Sequence, residues 1–322
     1  MKKDFPVPSL SGSSPLPHPL TTSLPHYLTI FLFTILLLLC TTYAGSSTEK
    51  DLTDGTGRIV HLHHYPPQRI ISLAPSITEL LFALKKGRNL VGVTTYCNRP
   101  QEATKITKVG GFADPNLEII ASLKPDVVIA SAQGNPVELV SNLDKFSIPL
   151  FAVNSRNISD VLTSIKLLSQ LTGAEREGAQ LHTQLSQFLQ ETQKKNAHIK
   201  KRKSIFFLLW YQPIVSVGKD SYINEIIELS GGKSVTSAYA GEWLQLNQEE
   251  LYKLKFDAII YARHSQDDEQ QFQKAIRDNF SPFASAKIYS IDEEILRPGV
   301  TFPDVISQLS KIIASIPTTL DP

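Results

Sequence analysis

Few side chains in this 322-residue sequence have the types and spacing to do chemistry. His61, His63 and His64 stand close enough to suggest a metal. An extended chain, however, puts only His61 and His63 on one face, and the adjoining sequence offers no Cys or carboxylate partner, so a solvated strand edge is the better reading. Cys97 has no His beside it to hold a thiolate and reads as a small, semi-buried thiol in a candidate site loop. Gly231-Gly232 follows an apolar helix pattern without the Lys-Ser/Thr of a phosphate loop, which makes it a helix end. No nucleophile with its base, paired acids or metal cluster emerges, so an enzyme is not expected, no catalytic or metal-ligating residue is assigned, and an α/β enzyme is kept only as a remote alternative.

What remains is suited to binding. Tyr96 with Cys97, Phe112, Trp210 with Tyr211, and Trp243 fall at or near the ends of apolar segments, joined by the cation Arg297. Each large ring can bury about 150–250 Å² and stack on a flat partner at little entropic cost.

The elements that must position these residues alternate. Residues 57–65 suggest a hairpin arm. Strands are expected over 69–73, 90–94, 127–130 and 149–153, with helices over 78–85, 117–123 and 137–146, and Glu79 would fall in the first turn of its helix. From 158 to about 201 the strand signal vanishes. Helix-period apolar residues run to Gly173, and a second helix over 174–200 would be about 40 Å long, enough to bridge two lobes. Strand and helix patterns resume at Ser204 and end in a strand over 288–291 and a helix over 303–316.

The second half repeats the first. Phe112, Asn116, Glu118, Leu123-Lys124, Asp126 and Ile129 recur as Trp243, Asn247, Glu249, Leu254-Lys255, Asp257 and Ile260, all offset by 131 residues. Each Asn stands where a helix N-cap would be, and each Glu falls in the first helical turn. The expected fold is α/β: two Rossmann-like lobes joined by a single long helix, with matching loops facing each other across a cleft.

The N-terminus is of a different character. Lys2 and Lys3 precede a Pro/Ser-rich stretch and an apolar run from Tyr27 to Leu39, shorter than the roughly 20 residues of a membrane span, then Thr42-Tyr43-Ala44. The organisation that follows is a signal peptide over 1–44, a linker over 45–56, an N-terminal lobe over 57–155, a helical connection over 156–202 and a C-terminal lobe over 203–322. Export to the periplasm is expected, with anchoring through an uncleaved segment as the alternative; Cys40 is a poor lipidation site because bulky Leu39 precedes it. Beyond residue 44 there are 30 basic and 30 acidic residues, a balance that excludes a nucleic-acid field, and a single cysteine, which excludes an internal disulfide.

Arg69-Ile-Ile-Ser-Leu-Ala-Pro-Ser-Ile-Thr-Glu-Leu-Leu, Val91-Gly-Val-Thr-Thr-Tyr-Cys-Asn-Arg-Pro, Asn116-Leu-Glu-Ile-Ile-Ala-Ser-Leu-Lys-Pro-Asp-Val-Val-Ile-Ala and Ser230-Gly-Gly together resemble the cobalamin and iron-chelate periplasmic binding proteins with a helical backbone, over about residues 57–316. The resemblance implies little hinge motion, a corrinoid held between aromatic loops, no cofactor besides that cargo, and delivery by a monomer to an ABC importer. The family's corrinoid contacts fall on Tyr96, Phe112 and Trp243; Phe112 departs from the tryptophan of the best-known member. The family's importer-docking glutamates fall on Glu118 and Glu249. A ferric-siderophore or haem binder is the alternative: a siderophore would want cleft cations, for which only Arg297 and Arg99 offer themselves, and haem would want a ligand such as Tyr96.

Overall fold

The computed structural model describes residues 48–263, 268–279, 283 and 286–317; the expected signal segment and Cys40 lie outside the described residues. The described chain opens on an antiparallel pair, β1 (Thr48–Thr53) and β2 (Ile59–Tyr65). Residues 45–56 are therefore not simply a linker. Buried Asp54 holds the turn: its carboxylate accepts bonds from Thr56 and Arg58 and from the amide of Ala152, which docks the hairpin on the first lobe.

That lobe contains β3 (Ile70–Ser72), α1 (Pro75–Ala83), β4 (Leu90–Val93), α2 (Leu117–Ser122), β5 (Val127–Ser131), α3 (Leu139–Asp144) and β6 (Leu150–Val153). Its sheet is wholly parallel in the order β4-β3-β5-β6. Strand alternation sends Ile70, Val127, Ile129 and Phe151 into one apolar cluster with α1, and Ile71, Val128 and Leu150 into another with α2 and α3. Helix α1 begins at Pro75, a residue pre-set for a first turn, so Glu79 falls in the second turn rather than the first and is buried.

The connection is a helical hairpin, α4 (Ile158–Thr172) and α5 (Glu175–Asn196), turned by Gly173 at φ +62°, a left-handed conformation that disfavours other residues. At 22 residues α5 is about 33 Å long, shorter than the sequence suggests. It stops early because the Asn196 side chain bonds the carbonyl of Leu229 and the chain turns onto the second lobe. Tyr65 meanwhile bonds the carbonyl of Gln170 near the other end of the hairpin, so α5 bridges the lobes.

The second lobe comprises β7 (Lys203–Tyr211), β8 (Ile214–Val217), α6 (Tyr222–Leu229), β9 (Gly232–Ser234), β10 (Trp243–Leu246), α7 (Gln248–Lys253), β11 (Ala258–Arg263), α8 (Asp268–Asn279), β12 (Ile288–Asp292) and α9 (Phe302–Ser315). Gly231 has the positive φ of a helix end, whereas Gly232 already opens β9. Strands β9-β7-β11-β12 are parallel, in the same order as the first lobe; β8 and β10 add an antiparallel extension.

The 131-residue repeat has a structural cause. Asn116 and Asn247 each cap a helix by accepting the amide three residues on, at 3.0 and 2.9 Å. Asp126 and Asp257 each reach back to the backbone at the start of the central strand, Asp126 accepting from Gln68 and Arg69 and Asp257 from Ser204. Fixed backbone bonds at both ends of the unit hold its spacing. Apolar residues of both lobes, including Ile77, Val161, Leu185, Ile226, Phe302 and Leu309, share one cluster, which ties the lobes together by burial rather than by a flexible hinge.

Candidate functional site

The carboxyl ends of the first lobe's parallel strands point at the second lobe, where an open α/β sheet places its ligand. A cavity of about 470 Å³ lies there. One wall is the start of α1 with its N-cap (Ala74–Ser76), Tyr96 beyond β4, the loop Phe112–Asp114, Ser131 at the end of β5 and Ser155 beyond β6; the other is Leu296–Pro298 beyond β12. Tyr96 is 60% exposed, with its ring open to the cavity.

Phe112 is held by groups the sequence did not single out. Its ring lies against Gly134, where a Cβ would come within 2.0 Å and would displace the ring. The Asn135 amide donates to the Phe112 carbonyl at 2.7 Å and accepts the Ser131 amide at 2.7 Å, fixing the loop to the end of β5. A Gly-Asn-Pro turn just after a buried strand is the only signal that marked this position.

The other site residues separate. Cys97 is buried, its sulfur among the hydroxyls of Thr78 and Thr94 at 3.2 and 3.1 Å, so it packs behind the wall rather than lining it. Trp210 and Tyr211 are not loop residues: they end β7, which runs on to a hairpin turn at Gln212-Pro213, and Tyr211 packs edge-on against Phe272. Trp243 opens strand β10, opposite Val217, instead of standing in a loop matched to Phe112. The second lobe has the β7–β8 hairpin for this segment to pair with, and the first lobe has no counterpart. None of these four lines the cavity, although Trp243 is 52% exposed and Trp210 is also exposed.

Arg297 does line it, but not as a free cation. Its guanidinium bonds Glu293 at 2.7 Å and crosses to Asn98 of the first lobe at 3.0 Å. Arg99 crosses the other way to Glu294 and Asp292. Between these pairs lies Glu79, whose two carboxylate oxygens have no hydrogen-bond partner among the described residues. Burial, followed by the charge of Glu294, pushes its carboxyl up to about 7, against the opposing pull of Arg297 and Arg99.

A carboxyl that holds its proton more tightly folded than unfolded stabilises the fold below about pH 4.5 and progressively less as pH rises to about 7. Every tenfold difference in proton affinity between the two states corresponds to about 1.4 kcal/mol. Glu79→Gln should therefore gain roughly 2–3 kcal/mol on the wild type between pH 5 and pH 8 in urea unfolding. Parallel stability curves for the two proteins would show that Glu79 ionises without cost.

Two α/β lobes on a helical strut, with a cleft at the strand ends, define a bilobed solute-binding protein. The chain belongs to the periplasmic binding protein family, whose profile matches residues 70–285. It is 32% identical over 257 residues to the uncharacterized ABC transporter substrate-binding lipoprotein YvrC of Bacillus subtilis, spanning 77% of this chain and 80% of that protein. With the vitamin B12-binding protein of Pectobacterium atrosepticum it shares 30% identity over 198 residues, 60% of this chain and 71% of the relative. The periplasmic vitamin B12-binding protein BtuF of Vibrio cholerae superposes with a TM-score of 0.66 at 23% identity, over 78% of this chain and 99% of that one. A periplasmic heme-binding protein of Pseudomonas aeruginosa reaches 0.70 at 18% identity, over 78% and 94%. The helical-backbone bilobed fold is thus that of its solved relatives, and the family's place is outside the cytoplasm. No helix among the described residues is long and apolar enough to cross a membrane.

Proposed function

We propose that this protein captures cobalamin or a related corrinoid outside the cytoplasmic membrane and delivers it, as a monomer, to an ABC importer. The observation that carries this is the character of the cleft: Tyr96 and Phe112 face an opening in which the one lining arginine is already neutralised. A broad, weakly charged macrocycle suits such walls, and an anionic chelate does not, because both Arg297 and Arg99 are engaged by carboxylates. Relatives named as vitamin B12-binding proteins support the same cargo. Glu118 and Glu249 serve as docking points for the importer, and catalysis and nucleic acid have no part in the proposal. The signal segment over 1–44 is taken to be removed on export.

Haem is the second reading, favoured by one observation: Tyr96 presents an exposed phenol on the cavity wall, where it could reach an iron. Titration of the purified protein with cobalamin, haem and a ferric siderophore separates the readings.

A further inference from the structure

The sequence offers His61 and His63 no carboxylate, because residues 45–56 read as a linker; β1 supplies two. In the β1–β2 ladder Asp51 stands opposite His61. Val60 and Leu62 turn into the first lobe's core, so His61 and His63 share the opposite, solvent-facing side of β2, where Glu49 and Asp51 meet them. One ligand atom from each of Glu49, His61 and His63 lies within 4.8 Å of the other two.

We propose that Glu49, His61 and His63 form a binding site for a late first-row divalent cation of the Zn²⁺ class, with Asp51 as the residue that orients His61. The Asp51 carboxylate lies 2.7 Å from His61 Nδ1 and holds the ring proton there. That leaves Nε2 as the lone-pair nitrogen, and it faces Glu49 Oε2 at 3.8 Å. A carboxylate behind a ligating imidazole is the usual means of fixing its tautomer and raising its basicity. The His63 ring meets His61 edge-on, with centroids 5.0 Å apart.

Ligand atoms around a tetrahedral Zn²⁺ with bonds of about 2.1 Å are roughly 3.4 Å apart, so small rotations of three exposed side chains would close the site. The hairpin's own cations are turned elsewhere: Lys50 lies over the Tyr65 ring at 3.8 Å and Arg58 pairs with Asp54 at 2.7 Å. Two imidazoles and one carboxylate favour Zn²⁺ or Cu²⁺ over Mg²⁺ or Ca²⁺, which prefer all-oxygen shells. Three protein ligands also leave a position open to water or to a group from another molecule. None of these residues lines the cleft, so the site stands or falls independently of the corrinoid reading.

The test is calorimetric titration of the full chain, prepared without an affinity tag, with Zn²⁺ in the presence of excess Mg²⁺. The expected result is one site per chain with a dissociation constant of about 1 μM or below. His61→Ala and His63→Ala should each weaken binding by at least about 30-fold, and Asp51→Asn, acting through His61, by about 10–100-fold. His198→Ala, at an exposed histidine outside the hairpin, should leave binding unchanged. Unchanged circular dichroism would show that the variants fold. With Co²⁺ as the probe, visible absorption of a four-coordinate centre should appear in the wild type and vanish in His63→Ala. Binding that needs millimolar Zn²⁺, or that survives in the double His61→Ala/His63→Ala variant, would overturn the proposal.

Discussion

Replacing Glu118 and Glu249 together by alanine is expected to remove most ligand uptake and most affinity for the importer, while ligand affinity in solution stays within about twofold. Both residues sit in the first turn of helices capped by an Asn, one on each lobe, and both are exposed. A carboxylate there gains about 0.3–1 kcal/mol from the helix dipole, too little for the fold to depend on it. Glu249 adds only an i,i+4 pair with Lys253 at 2.7 Å, and its side chain remains 81% exposed. In the proposed docking role, one exposed carboxylate on each lobe would fix orientation on a pair of cationic partner sites. Bulk attraction would not. Wild-type complex formation should accordingly weaken steeply with salt. Undiminished uptake by the double variant, in a strain without another binding protein for the same ligand, would reduce the pair to helix-end ornament.

Trp243→Ala should weaken corrinoid binding by about 2 kcal/mol, or roughly 30-fold, and shift the melting temperature little. The alternation of β10 explains the second half of this expectation. Leu244 and Leu246 pack into the second lobe's core while Trp243 and Gln245 face outward, so truncation opens no cavity. A buried Trp would instead cost roughly 3–5 kcal/mol of stability when truncated. The affinity loss is the more demanding half, because Trp243 lies outside the 470 Å³ cavity. It requires a cargo large enough to extend from Tyr96 and Phe112 onto the second lobe's edge strand. Unchanged affinity in Trp243→Ala alongside a large loss in Phe112→Ala would confine the ligand to the first lobe's wall.

The paired lobes were legible because equivalent side chains in each lobe bond the backbone at the same spacing. Asn116 with Asn247 and Asp126 with Asp257 make equivalent bonds to the backbone in each lobe. Tyr96, in the loop after β4, Phe112, in the loop before α2, and Arg297, in the loop beyond β12, were legible as loop residues, and all three line the cavity. Other features depend on partners far away in sequence. Thr48–Thr53 carries almost no apolar alternation and becomes a strand only through β2. Trp210, Tyr211 and Trp243 look like loop residues until the β7–β8 hairpin recruits them into the sheet. Glu79 looks like a helix-end carboxylate, and its burial, with Gly299 and the charge of Glu294 close by, appears only in the fold. Cys97 likewise is in a site loop by sequence and in the core by packing.

Calorimetric titration of the purified protein with cobalamin decides whether the aromatic cleft holds a corrinoid. A single site with a dissociation constant of micromolar or below, equivalent to at least about 8 kcal/mol, is the predicted result. No heat with any corrinoid, together with tight binding of haem or a ferric siderophore, would contradict it.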